Sequence, residues 1–236
     1  MPNQNLEFKI DDEVPLFKPL RRNRALNSKW YTTFIFFSAT LLLFTGNCTR
    51  VTRFVGSNPY HTETYKGVCD EWSREARIHR GLEVELIVSA TFKSEEFRRA
   101  YADEYAKANR LTPEREKQFV EDQVEAATHG YEFLIASFVP DEKWDDFDKA
   151  KSMWKLYLVN DQNERVVPIE VRRVRLKDAV TPHFFPYVTP WKSVYKVRFP
   201  YNVPTTDQPF IQENTKGIKL VITSVLGTAE MGWKLQ

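Results

Sequence analysis

The chain has 236 residues, 42% hydrophobic and 28% charged, with eight glycines, thirteen prolines and two cysteines. That composition excludes a disordered, collagen-like or polytopic membrane chain, and two cysteines exclude a disulfide-dense scaffold or a cysteine-based zinc site. The formal net charge of +2 excludes a strongly basic nucleic-acid binder on bulk charge.

Residues 1–48 hold six Lys/Arg and four Asp/Glu, which leaves 28 of each sign in 49–236 out of the chain's 34 and 32. The positive excess therefore lies wholly in this leader. Its acids, Glu7, Asp11, Asp12 and Glu13, come first. Lys18, Arg21, Arg22, Arg24 and Lys29 follow with no acid between them. Next comes an uncharged run of 17 residues, 30–46 (WYTTFIFFSATLLLFTG), and then Asn47 and Cys48. A basic block ahead of an apolar one is the pattern of a membrane-targeting signal. The basic block stays cytoplasmic and everything after residue 48 is exported. At about 1.5 Å per residue the run spans roughly 25 Å, the short limit of a transmembrane helix.

The end of that run, Phe44-Thr45-Gly46-Asn47-Cys48, resembles the lipobox of bacterial lipoproteins. The resemblance implies cleavage before Cys48 by signal peptidase II and a diacylglycerol on the Cys48 sulfur. Two other outcomes stay open on the residues: an uncleaved single-pass anchor with its N-terminus inside, and a cleaved, soluble exported form. Cys69 is expected to be a buried small hydrophobe; without acylation of Cys48, a 48–69 disulfide is the other outcome.

The expected organisation is a basic cytoplasmic leader (1–29), a signal or anchor segment (30–47), a tether (48–61) and one folded domain (62–236). The tether is polar, with Gly, Ser, Asn and Pro near its end. Strand signals begin at about Thr62. Residues 83–92 and 131–139 are nearly continuous apolar β runs, and 153–159 is apolar on both faces. Asn160-Asp161-Gln162-Asn163 is turn chemistry, so 165–174 should pair back as a hairpin. Residues 191–199 alternate, and 218–225 with 229–235 read as a closing hairpin near Gly227.

A helical hairpin at about 94–129 interrupts these strands. Ser94 caps its first helix, with Glu95 and Glu96 at the positive end of the dipole. Phe97, Tyr101 and Tyr105 form one stripe. Thr112-Pro113-Glu114 starts the second helix, whose apolar side is Phe119, Val120, Val124 and Ala127, and Gly130 ends it. The expected fold is mainly β: an immunoglobulin-like β-sandwich with an inserted α-helical hairpin, preceded by the hydrophobic signal or anchor helix.

Catalytic motifs are absent. His61, His79, His129 and His183 share no metal-ligand spacing, and no HExxH, GxSxG, GxxxxGK[ST], GxGxxG or CxxC occurs. Asp141, Glu142, Asp145, Asp146 and Asp148 cluster in PDEKWDDFDKA without EF-hand spacing. Arg172, Arg173, Arg175 and Lys177 make the strongest basic patch, with a phase shift that reads as a bulge, and are candidates for an anionic membrane surface. In HFFPYVTPW, Phe184, Phe185, Tyr187 and Trp191 are candidates for a ligand or partner surface. These residues describe a non-enzymatic, membrane-tethered envelope lipoprotein acting in binding or assembly, facing the periplasm or cell exterior. Its expected partners are the membrane and an envelope protein, with no nucleic acid, metal or cofactor. The alternatives are an exported enzyme or a carbohydrate-binding module acting on envelope glycans.

Overall fold

The computed structural model describes residues 61–175 and 180–235. The 1–60 leader, anchor segment, Cys48 and Lys177 lie outside the described residues. Among those described, the chain is mainly β, with two antiparallel sheets and four α-helices. None of these helices is long and apolar enough to cross a membrane.

Helix α1, Glu63–Trp72, lies where strand signals were expected. Thr62 explains the difference, because its hydroxyl accepts the Tyr65 amide at 3.3 Å and caps the first turn. Tyr65, Val68, Cys69 and Trp72 then recur at helical spacing and pack against the core. Strands β1 (Ser73–Arg80) and β2 (Glu83–Phe92) follow as a hairpin. Helices α2 (Glu95–Asn109) and α3 (Pro113–Thr128) form the expected helical hairpin. The Ser94 hydroxyl accepts the Phe97 amide at 3.1 Å, as its N-cap position requires.

Strand β3 is Tyr131–Phe138 and β4 is Lys155–Asn160. The 165–174 run divides instead of forming one hairpin arm. Its start, β5 (Arg165–Val166), pairs with β4, and its end, β6 (Glu170–Val174), crosses to the other sheet. Pro168 between them donates no backbone hydrogen bond and breaks the run. A short helix α4 (Val180–Phe184) and strands β7 (Ser193–Phe199), β8 (Gly217–Ser224) and β9 (Gly227–Lys234) complete the chain. The sheets have strand orders β1-β2-β3-β7-β6 and β5-β4-β8-β9.

Alternation decides the core. Leu86, Val88, Ala90 and Phe92 of β2 and Phe133 and Ile135 of β3 are buried, as are Leu220 and Ile222 of β8 and Met231 and Trp233 of β9. The sheets meet through these side chains: Trp233 lies 5.3 Å from Phe133 and 6.4 Å from Phe92, ring centre to ring centre. At the sheet edges, Arg74 of β1 donates from Nε to the Gly232 carbonyl of β9 at 3.0 Å. The helices pack through α1 and α2, with Phe97, Tyr101 and Tyr105 meeting Phe184, Phe185 and Phe119.

Candidate functional site

A cleft of about 430 Å³ opens where β3 ends and β7 begins. Its walls include Ser137, Glu142, Asp145, Arg173, Trp191 and Lys192. Three sequence features converge in it: Glu142 and Asp145 from the acid cluster, Arg173 from the basic patch, and Trp191 from the aromatic segment. The register brings them together, since Ser137 of β3 sits opposite Ser193 of β7, and Arg173 of β6 sits opposite Tyr195 of β7.

Asp145 organises one wall. Its carboxylate accepts from Arg173 Nη2 at 3.0 Å, from the Tyr195 hydroxyl at 3.0 Å and from Ser137 Oγ at 3.4 Å. The Ser193 hydroxyl, which also accepts from Arg173 Nη2, makes a further close contact with it. The Asp145 carbonyl takes Tyr195 at 2.9 Å and Arg173 Nη1 at 3.3 Å. Burial, and then the negative charge of Asp145, hold the Tyr195 phenol above its ordinary value. With so many donors on one carboxylate, Asp145 pins the 139–154 connection onto β7.

The facing wall differs in kind. Trp191 is 81% exposed between Pro190 and Lys192. Lys192 turns inward, donating to Ser89 Oγ at 2.9 Å and lying 3.8 Å from Glu75 Oε2. Burial lowers the Lys192 ammonium, and Glu75 opposes that shift. The cleft therefore offers a free indole, a guanidinium bound on one side, and an exposed carboxylate at Glu142.

The rest of the aromatic segment is not a surface. Phe184, Phe185 and Tyr187 are 2%, 5% and 4% exposed, which removes them as stacking platforms. Phe184 fills a nest of rings from Tyr65, Tyr101, Tyr105 and His61, and its carbonyl accepts the Tyr65 hydroxyl at 2.9 Å. Tyr187 continues a polar chain, with its hydroxyl 2.7 Å from Thr91 Oγ1 and 3.1 Å from the Leu134 carbonyl. Burying these rings removes a large apolar area from water and stabilises the fold.

The basic patch also divides. The register runs without a shift from Glu170 to Val174, so no bulge forms and successive side chains take opposite faces. Arg172 pairs with Glu170 at 3.5 Å, whereas Arg173 reaches Asp145 and the Tyr195 ring on the other side. Arg175 ends the described segment and Lys177 lies beyond it. One continuous cationic surface made of Arg172 and Arg173 is therefore excluded by strand geometry.

Asp141 and Asp146 serve local structure. Asp141 caps a single 3₁₀ turn through the Lys143 amide at 3.1 Å, and Asp146 accepts from Ser152 Oγ at 2.8 Å. Among the described residues no three His, Cys, Asp or Glu side chains gather to hold a metal. Two histidines distant in sequence do meet: His61 and His183 stack edge to face at 4.7 Å. Burial and then His183 lower the His61 imidazole. Cys69 is a free thiol among the described residues, pushed up to about 11 by burial.

Sequence reasoning missed Ser137, Lys192 and Ser193, which carry no motif and become a site only through pairing. It also missed the ion cluster on Glu132. A lone acid in the apolar strand YEFLIASF was its one visible sign.

No family model matches the chain and no curated protein matches it. A search of solved structures finds similarity to the crystal structure of a DUF4426 family protein from Pseudomonas aeruginosa PAO1. That likeness has 11% identity and a TM-score of 0.28, covering 68% of this chain and 94% of the other.

Proposed function

We propose that the protein is a non-enzymatic component of a bacterial envelope, tethered to the exported side of a membrane, that captures an envelope protein through the Trp191 cleft. The observation carrying this reading is the 81% exposed indole of Trp191 at the mouth of a walled, polar cleft. Exposed tryptophans beside arginines are the side chains that dominate protein interfaces. The crowded hydrogen bonding of Asp145 suits a fixed loop more than a group that exchanges protons. An immunoglobulin-like sandwich is the fold reading that goes with this role, supported by two antiparallel sheets meeting through Trp233. The basic leader, the uncharged run and Cys48 support the tether, with lipid on Cys48 as its form.

Two experiments test the reading. Intact mass of the protein from a bacterial membrane fraction should show a chain beginning at Cys48 and heavier by a lipid; a full-length mass overturns lipidation. Cross-linking of the full chain in intact envelopes should recover a protein partner that Trp191→Ala loses by at least about tenfold, the scale of one hot-spot residue. Equal recovery with wild type and variant overturns the cleft as the contact.

A further inference from the structure

The outer face of the five-stranded sheet gathers more positive charge around Glu132 than that carboxylate balances, with Arg98 buried and the lysines partly exposed. Lys93, the residue after β2, places Nζ 2.7 Å from Glu132 Oε1. Lys196 of β7 reaches Glu132 Oε2 at 2.8 Å from the other side. Arg98, in the first turns of α2, closes over the same oxygen with Nη2 at 3.5 Å. Three cations thus share one carboxylate. Glu170 gives no relief, because Arg198 and Arg172 both lean on it, at 2.9 and 3.5 Å.

The arrangement is built rather than loose. Arg98 is 2% exposed and Glu132 is 5% exposed. Arg98 Nε is held by the Lys93 carbonyl at 3.1 Å, and Nη1 lies 3.5 Å from Gln123 Oε1 of α3. Its Nη2 has no hydrogen-bond partner among the described residues, and neither does the buried Nε of Arg198. A guanidinium that shares its carboxylate and leaves a donor unsatisfied in a desolvated position is costly, and an arginine cannot shed its charge by losing a proton. Lys93 and Lys196 remain 20% and 31% exposed, so their two ammoniums form the solvent-facing rim of the cluster over the buried guanidinium of Arg98.

We propose that Lys93, Arg98 and Lys196 bind a second anion beside Glu132, and that this anion is a phosphate group. A phosphate supplies up to two negative charges and several acceptor oxygens, matching the two surplus charges and the spare donors of two ammoniums and a guanidinium. Free inorganic phosphate presents this group with up to two charges, and a phospholipid headgroup presents it as a singly charged diester with the same acceptor oxygens.

The test uses the purified full chain in non-ionic detergent, followed by near-UV circular dichroism on heating. Inorganic phosphate is titrated at constant ionic strength against chloride. A saturating rise in Tm of about 3–6 °C at tenfold excess over Kd is expected. Lys196→Gln, at a partly exposed position, should fold and lose the saturable rise. Glu132→Gln, which removes the competing carboxylate, should bind phosphate about tenfold more tightly. Short-chain phosphatidylglycerol, controlled by phosphatidylcholine of the same length, replaces phosphate in a second arm. Saturation with either probe that depends on Lys196 supports the site and names its source. A rise that never saturates, or is equal in Lys196→Gln, is general salting-out and overturns the proposal.

Discussion

The indole nitrogen of Trp233 donates to the main-chain carbonyl of Trp72 at 2.8 Å, a contact spanning 161 positions of sequence. It ties the last strand to the residue at which α1 gives way to β1. Both indoles are buried, at 2% and 7% exposed. Trp233→Phe keeps an aromatic ring but strands the Trp72 carbonyl and leaves a void. The variant should lose about 2–4 kcal/mol, read as a lower urea midpoint at unchanged m.

Gly130 and Gly81 separate two costs of adding a methyl group. Gly130 has φ of 134°, and a Cβ there would lie 2.3 Å from the Phe199 carbonyl oxygen. Gly81 has φ of 64° and open space around it. Gly81→Ala should cost about 1–2 kcal/mol, the left-handed penalty alone, and Gly130→Ala clearly more. Unfolding curves for the two variants side by side give the comparison, and equal losses would contradict it.

Acid should release the Glu132 cluster. Burial alone would raise this carboxyl, but Lys93 and then Lys196 overcome it and hold the group at about 2, below its ordinary 4.5. A depressed carboxyl contributes stability that is fully present above about pH 4.5 and is lost as pH falls toward 2. The contribution is on the order of 3 kcal/mol. Glu132→Gln should show a flatter loss of stability over that window than wild type.

Trp191 and Phe184 provide the contrast between surface and core. Trp191→Ala should change stability by no more than about 0.5 kcal/mol, whereas Phe184→Ala should cost about 3–5 kcal/mol. Comparable losses in both variants would place the Trp191 indole in the core and remove it from the cleft.

The Cys69 thiol should react slowly. With the thiol raised to about 11 by burial, little thiolate exists near neutrality. Iodoacetamide at pH 8 should modify native protein far more slowly than urea-unfolded protein, followed by mass spectrometry. Equal rates would mean that the thiol is open to solvent.

Much of the β framework and the helical hairpin was legible because periodicity and caps are local signals. Ser94, Thr112 and Pro113 placed the hairpin, and the apolar runs at 83–92 and 131–139 placed two central strands. Helix α1 was not legible as a helix, because its apolar residues are few and its cap is a single threonine. The cleft was legible only in pieces. Asp145, Arg173 and Trp191 stood out as charged or aromatic, yet nothing local states that β6 leaves β5 and joins β7. Burial of Phe184, Phe185 and Tyr187 was equally a long-range fact, set by partners such as Tyr65, Tyr101 and Thr91. The Arg172–Arg173 pair misled because a run of like charges looks continuous on paper, whereas a strand turns neighbours to opposite faces.

Strand β3 occupies the middle of its sheet, paired to β2 on one edge and β7 on the other. The two partners appear at very different times during synthesis. At about 5–20 residues per second, β2 is already made when β3 emerges, but β7 follows only several seconds later. For that interval the second edge of an apolar strand stays open, with Phe133 and Ile135 lacking the side chains that later flank them. That edge is where a holding chaperone would have most to gain, and where a stalled or truncated chain would begin to aggregate.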